Sequence, residues 1–369
     1  MVEQKIRRIY ILGDLHLGVK NASIEWSDIQ SDFLVNTFIE AIDKDGFDPD
    51  TDILIQVGDW HHVRESTNVR IQGASLNIAK VLCNKFKRGV HVILGNHDVY
   101  YKDQNDVHSL VGFNEIFDNF HVYESPKILN LNSHKFLMLP WIDSTDKFRE
   151  TISKYKSADF VVCHADIKGA KLSKTTKLDH GVEYSELNNY KRVYSGHIHI
   201  RQDRDNVLYV GTPYQMDRGD IGNSKGFYVL EINGAEVSER FIENNSSPRF
   251  IKYNIHDLLE LSLNEIKNRF NNNFIDVYID HDFAKAFPIT RFIELVKDCG
   301  HRSLEFQPYS TNTSQDSAIE VSQTYEYNIF DVLSEYLKSR ELPSHKSDLI
   351  YSKFKSVYEE LKNNKPYNE

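Results

Sequence analysis

Five short stretches of this chain carry residues able to bind divalent cations or move protons. They are Gly13-Asp14-Leu15-His16, Gly58-Asp59-Trp60-His61-His62, Gly95-Asn96-His97-Asp98, His164-Ala165-Asp166 and Gly196-His197-Ile198-His199. Carboxylates and amides offer oxygen ligands, and a neutral imidazole offers a nitrogen or carries a proton. In His197-Ile198-His199 the alternate residues of an extended segment point the same way and can share a cation pair. Each stretch alone is commonplace: a Gly-Asp after a strand is most often a turn, and a lone His164 is more often a satisfied core or surface histidine than a ligand. Jointly they differ, because ligand-capable side chains at the ends of five apolar runs are costly to bury unless paired or metal-bound. Their types fit two divalent ions about 3.5–4 Å apart, which ready a water for attack on phosphorus and clamp the attacking and leaving oxygens.

The elements that must position these residues follow from hydrophobic periodicity. Segments 6–12, 53–57 and 90–94 read as buried strands, each running into one of the stretches. Between them Phe33, Leu34, Phe38 and Ile42, then Leu76, Ile78, Val81, Leu82 and Phe86, stand at helical spacing. A repeated β-loop-α pattern implies a layered α/β core with ligands at the carboxyl ends of its strands. The middle of the chain turns strand-rich at 120–123, 135–141 and 159–163, with a helix predicted over 145–156. Segment 168–189 reads as a long surface loop, and 206–210, 226–232 and 237–242 as a run of antiparallel strands. Together these elements predict two sheets packed face to face with helices outside, a four-layer arrangement.

A composition change at Asn244-Asn245-Ser246-Ser247-Pro248 marks a boundary. Beyond it, helices over 258–270 and 290–296 and strands over 274–279 and 304–309 predict a small α/β module. Segment 311–317 reads as a linker. Two amphipathic helices close the chain, one bearing Ile329, Phe330, Leu333, Tyr336 and Leu337, the other Leu349, Ile350, Phe354, Val357 and Leu361. Leu342-Pro343-Ser344 separates them, with Ser344 as an N-cap. Helices this short, with apolar faces, either pack on the rest of the chain or dock a partner.

Composition bounds the function. With 369 residues, 40% of them hydrophobic and 12% aromatic, the chain can fill one large core and a smaller one. It has no run of about 18 apolar residues and no signal-like start, which predicts a soluble, cytoplasmic protein with no membrane partner. Cys83, Cys163 and Cys299 are isolated, so neither a disulfide framework nor a thiolate zinc site is indicated. The net charge of -10 runs against a protein that holds DNA by its own surface alone. Only short basic clusters appear, Lys85-Phe86-Lys87-Arg88 and Arg201 with Arg204. Either the substrate is not nucleic acid, or bound cations and a partner supply the positive field.

Taken in order, the five stretches resemble the motifs of the calcineurin-like metallophosphoesterase superfamily over residues 6–232. Asp14-Leu15-His16-Leu17-Gly18 and Tyr209-Val210-Gly211-Thr212-Pro213 are similar to the SbcD-type DNA double-strand-break repair nucleases, a subgroup that includes phage recombination endonuclease subunits. The subgroup often has tryptophan where this chain has Leu15, an apolar exchange that leaves the ligands intact. The resemblance implies an α/β, four-layer metallophosphoesterase sandwich of two β-sheets flanked by helices over 1–245. It further implies a small α/β capping domain over 246–312 and, over 313–369, a linker and C-terminal helical pair that binds an ATPase partner.

The same resemblance implies that Asp14, His16, Asp59 and His199 hold one ion and that Asp59, Asn96, His164 and His197 hold the other, with Asp59 bridging. His97 would stabilise the transition state or protonate the leaving oxygen, with Asp98 orienting it and raising its pKa. His62 would position a DNA strand end; His61 receives no role. Hard and borderline ligands fit manganese, with magnesium or iron as alternatives. The implied activity is that of a DNA exo/endonuclease working with an SbcC-type, SMC-like ABC ATPase docked near Phe330 and Phe354, as a homodimer, in repair and recombination. A phosphoprotein phosphatase or small-molecule phosphodiesterase and a non-catalytic scaffold are the competing readings. The capping module and helical pair argue against the first, and the fully occupied motifs against the second.

Overall fold

The computed structural model describes residues 5–173, 175–309, 351–353 and 355. Its contacts divide the chain into two units, Met1–Ser310 and Thr311–Glu369. In the second, 351–353 and 355 are helical; the two amphipathic helices expected there otherwise lie outside the described residues. No helix among the described residues is long and apolar enough to cross a membrane.

Two six-stranded sheets make up most of the first unit. One contains β1 (Arg8–Leu12), β2 (Asp52–Gln56), β3 (Val90–Ile93) and β4 (Phe120–Tyr123) as parallel neighbours. The other contains β5 (Lys127–Leu131), β6 (His134–Leu139), β7 (Phe160–His164), β8 (Arg192–Gly196), β9 (Gln202–Arg204) and β10 (Val207–Tyr209), ordered β5-β6-β7-β8-β10-β9. The antiparallel pair β11 (Gly226–Asn233) and β12 (Glu236–Glu243) returns to the edge of the first sheet beside β1.

The period-two alternation of each strand decides the layering. Ile9 and Ile11, with Ile53 and Ile55, meet Phe136, Met138, Phe160 and Val162 between the sheets. Tyr10, Leu12 and Leu54 point the other way, onto Ile29, Phe38, Ile78 and Leu82 of the helices Ile24–Asp32, Phe38–Lys44 and Val69–Lys85. Beyond the second sheet Leu137, Val161 and Cys163 pack on Phe148 and Ile152 of helix Thr145–Lys154. The order is helix, sheet, sheet, helix, as the sequence predicts.

The details depart from prediction where a local pattern is ambiguous. Segment 168–189 is no mere surface loop: Leu178, Val182, Tyr184 and Leu187 are buried in the outer core, around a 3-10 turn at Tyr184–Leu187. The run of strands near the end of the sandwich is split, β10 lying parallel to β8 while β11 and β12 join the opposite sheet. One predicted helix over 258–270 is two, Ile255–Leu259 and Leu263–Phe270, because Ser262 and Glu265 form a capping box between them. β9, with no apolar residue, and β5, whose Ile128 and Leu129 are consecutive and break a strict alternation, go unpredicted.

After β12 the chain builds a third, all-parallel sheet of β13 (Phe250–Asn254), β14 (Phe274–Asp280) and β15 (Ser303–Tyr309), with its own core around Phe270, Ile275, Val277 and Phe292. It rests on the sandwich through Trp26, whose ring lies 5.4 Å from Phe274 and 6.1 Å from Phe250 in stacked geometry. Arg218 adds a two-pronged contact to Asp276 at 2.7 and 2.9 Å.

Candidate metal centre

Parallel neighbours end side by side, so β1, β2 and β3 deliver Asp14 with His16, Asp59, and Asn96 with His97 to one rim of the first sheet. β7 and β8 deliver His164, His197 and His199 to the facing rim of the second. The loops are locked to one another: Leu15 and His16 donate their N–H groups to the Asp59 carbonyl at 3.0 and 2.9 Å, and Leu17 to that of Trp60 at 2.9 Å. Buried Gln30 donates to the carbonyls of Leu15 and His16 at 2.9 and 2.8 Å. Three of the candidate ligands, His16, Asp59 and His197, hold left-handed backbone with φ of 48, 56 and 83°. Such backbone is uncommon outside glycine and is stored where a site over-determines it. Glycine is required beside them for space: a Cβ on Gly196 would stand 2.6 Å from Asp14 Oδ1 and 2.7 Å from His164 Nδ1, and one on Gly95 would overlap Asp59.

Nine of the ten residues expected to act near the ions bring their side chains together here; the tenth, Asp98, turns its carboxylate to backbone N–H groups instead. On one side His16 Nε2 lies 2.9 Å from His199 Nε2 and 3.5 Å from Asp59 Oδ2, with Asp14 Oδ2 4.0 Å from His199 Nε2. On the other, Asn96 Oδ1 lies 2.9 Å from His164 Nε2 and 3.0 Å from His197 Nδ1, and Asp59 Oδ2 lies 3.4 Å from His164 Nε2. Asp59 Oδ2 therefore faces both groups. Its other oxygen accepts from the His97 backbone N–H at 2.8 Å, and Asp14 Oδ2 accepts from that of His197 at 2.9 Å.

The electrostatics ask for added positive charge. Burial pushes the Asp14 carboxyl up to about 8, even against the pull of His164, and burial with the neighbouring Asp59 charge pushes Asp98 up to about 7. Burial would also raise Asp59, but His164 holds it below the usual carboxylate range, while Asp59 in turn carries His164 up to about 9 against burial. One imidazolium cannot neutralise three buried carboxylates. The donor set of carboxylate and amide oxygens and imidazole nitrogens, free of thiolate, fits divalent ions of the hard to borderline kind. Cys163 precedes His164 but turns into the outer core.

His97 and His62 border the cluster, their rings stacked 5.5 Å apart at 12°. His97 Nδ1 lies 2.6 Å from the His62 carbonyl oxygen, and His62 Nδ1 lies 3.3 Å from His16 Nδ1. The expected pairing of Asp98 with His97 is corrected. The Asp98 carboxylate points beneath the site and accepts from the backbone N–H groups of Trp60, His61 and Gly95 at 3.2, 3.0 and 2.9 Å. Its role is to tie the second and third loops together, and the His62 carbonyl, not a carboxylate, orients His97.

Two neighbours escaped sequence reasoning. Asp166 Oδ1 approaches His197 Nε2 to 2.8 Å, off the line of a good hydrogen bond. The Tyr209 hydroxyl brackets Asp166, donating to the Ala165 carbonyl at 2.9 Å and accepting from Ile167 N–H at 3.0 Å. Trp141 places its ring 5.1 Å from that of His197. A carboxylate two residues after a ligand histidine was the available signal for Asp166; a lone tryptophan after a strand gave none.

A family model described as calcineurin-like phosphoesterase matches residues 7–201. Exonuclease subunit 1 of Enterobacteria phage T4 is 33% identical to this chain over 243 residues, which cover 65% of this chain and 68% of that protein.

Proposed function

The chain belongs to the calcineurin-like phosphoesterase family, and on that premise we propose that it is the metal-dependent nuclease subunit of a DNA-processing complex, hydrolysing phosphodiester bonds at the site formed by Asp59 and its neighbours. The observation that carries the reading is the position of Asp59 Oδ2, 3.5 Å from His16 Nε2 and 3.4 Å from His164 Nε2. In this reading Asp14, His16, Asp59 and His199 hold one divalent ion, and Asp59, Asn96, His164 and His197 hold the second. Manganese is the metal we propose, with magnesium or iron as alternatives for the same mixed oxygen and imidazole donors. Bound ions supply Lewis acidity, readying water and offsetting charge on the phosphoryl group.

The remaining work falls to the chain's own side chains. A carbonyl oxygen can only accept, so His97 Nδ1 carries a hydrogen donated to His62 O. That fixes the ring and leaves Nε2 as its free end. With Nε2 turned to the phosphoryl group, His97 stabilises the transition state or protonates the leaving oxygen. Stacking on His62 keeps the two rings parallel, and His62 fits a role in placing the strand end. Leu15, Trp60 and Val99 are buried around these loops and keep them rigid.

A nucleic-acid substrate and an assembly partner are supported by the relative, whose name is that of an exonuclease subunit; DNA as that substrate and a repair or recombination context belong to the proposal. The net charge of -10 supports a partner that adds basic surface. An SMC-like ABC ATPase bound through 313–369, a capping role for 246–312 and a homodimer complete the proposal. The test is digestion of linear duplex DNA by the purified chain with manganese, beside a generic phosphomonoester, with His97→Ala as control. DNA degradation that vanishes in the variant, with little monoester turnover, is the expected result. Monoester turnover without DNA cleavage, with and without the ATPase, would overturn it in favour of a phosphatase.

A further inference from the structure

Lysine is seldom buried, yet Lys225, just before β11, is 4% exposed. Its ammonium lies 2.5 Å from Asp220 Oδ1 and donates to the carbonyl oxygen of His199 at 2.8 Å. Asp220 is anchored in turn: its Oδ2 accepts from Met216 N–H at 2.8 Å, and its carbonyl accepts from Gln215 Nε2 at 3.2 Å. Gln215 Oε1 accepts from the backbone N–H of Phe250 in β13 at 2.7 Å. An unbroken chain of hydrogen bonds thus runs from the small sheet to the backbone of one candidate ligand.

That ligand needs holding. The His199 side chain is 39% exposed, against 21% for His197 and 2% or less for His16, Asp59 and His164. Packing therefore restrains its ring least, and its carbonyl is gripped instead, by Lys225 and by Thr212 N–H at 3.2 Å. A buried ion pair rarely adds net stability over apolar residues of the same size, so its presence calls for a positional explanation.

We propose that Lys225 is a positioning residue for His199: by fixing the His199 peptide it holds the imidazole at the edge of the metal cluster in the geometry that binds an ion. The proposal rests on His199 being a ligand, and its test separates the two ideas. Manganese binding to the full chain is followed by calorimetry and by the paramagnetic resonance of free manganese, with thermal melting to confirm folding. The variants are Lys225→Met, His199→Ala and the double variant Lys225→Met with Asp220→Asn, which leaves no lone buried charge if the single change fails to fold. Loss of an orienting partner behind a ligand typically weakens a metal site about 10–100-fold. One manganese equivalent is expected to weaken by that range in the Lys225 variants, with the other unchanged. If His199→Ala weakens a site but the folded double variant binds both ions within about twofold of wild type, Lys225 does not position the ligand. Unchanged binding in His199→Ala would overturn the ligand assignment itself, and the proposal with it.

Discussion

His16 and His164 come from opposite sheets and aim their Nε2 atoms at one and the same carboxylate oxygen, Asp59 Oδ2, at 3.5 and 3.4 Å. A single buried oxygen facing two imidazoles supports the proposed role of Asp59 as the ligand common to both ions. Asp59 holds left-handed backbone, and a Cβ at position 95 would collide with its other carboxylate oxygen, Oδ1, at 2.2 Å.

Asp59→Asn should therefore cost both ions, not one. Elemental analysis of the purified variant is expected to find neither equivalent, and activity should drop by several kcal/mol of transition-state stabilisation, on the order of a thousandfold or more. Retention of one full equivalent would mean that Asp59 serves a single ion.

His97 should behave oppositely. Its ring lies close enough to His16 and His62 to form a ligand cluster with them, but the proposal places it in neither ligand set, so His97→Ala is expected to keep its metal content while turnover falls by about 10²–10⁴-fold, the usual range for a general acid. Metal loss in this variant would move His97 into the ligand set.

Most of the site was legible in the sequence because its residues stand at strand ends, where apolar runs announce the strand and a glycine announces the turn. Asp14, Asp59, Asn96 and His197 are of that kind, and His164 ends its strand without a glycine. What remained hidden depends on contacts between distant segments. Asp98 adjoins His97 in sequence, yet the turn sends its carboxylate to three backbone N–H groups. Buried Gln30 and Lys225 look like solvated residues, since nothing local tells a polar side chain that serves a loop 14 or more residues away from one that faces water. In the fold, strands with strong alternation were visible, and the sheet to which β10, β11 and β12 belong was not, because strand order is set by packing.

Acid should destabilise the protein through histidines that are buried neutral. His91 in β3 is 6% exposed, with Nδ1 2.9 Å from the Tyr123 hydroxyl and its ring 4.8 Å from that of His121. Burial, with His121 adding to it, lowers its pKa from 6.5 to about 3. Between those values the unfolded chain binds the extra proton, so the contribution of His91 is intact above pH 6.5 and is lost as the pH falls toward 3. From pH 6.5 to 5 the loss is about 2 kcal/mol. Urea unfolding of His91→Phe at the two pH values is expected to show a drop smaller than wild type by about that amount. His61, lowered to about 4 by burial, keeps some acid sensitivity in the variant. An unchanged drop would exclude His91 as a source.

Asp166 offers a test of how the ligand shell is supported. Its carboxylate approaches His197 Nε2 to 2.8 Å, while His197 Nδ1 faces Asn96 Oδ1 at 3.0 Å. The carboxylate thus favours the tautomer with hydrogen on Nε2 and leaves the Nδ1 lone pair for an ion. Asp166→Ala removes that bias without removing a ligand. Manganese affinity at the His197 side is expected to weaken about 10–100-fold, while turnover at saturating manganese recovers most of the wild-type rate. Asp166→Asn keeps a partly negative oxygen beside Nε2 and should lie between the two. Loss of turnover that saturating manganese does not restore would instead place Asp166 in the chemistry, since a residue that only orients a ligand is silent once the ligand is filled.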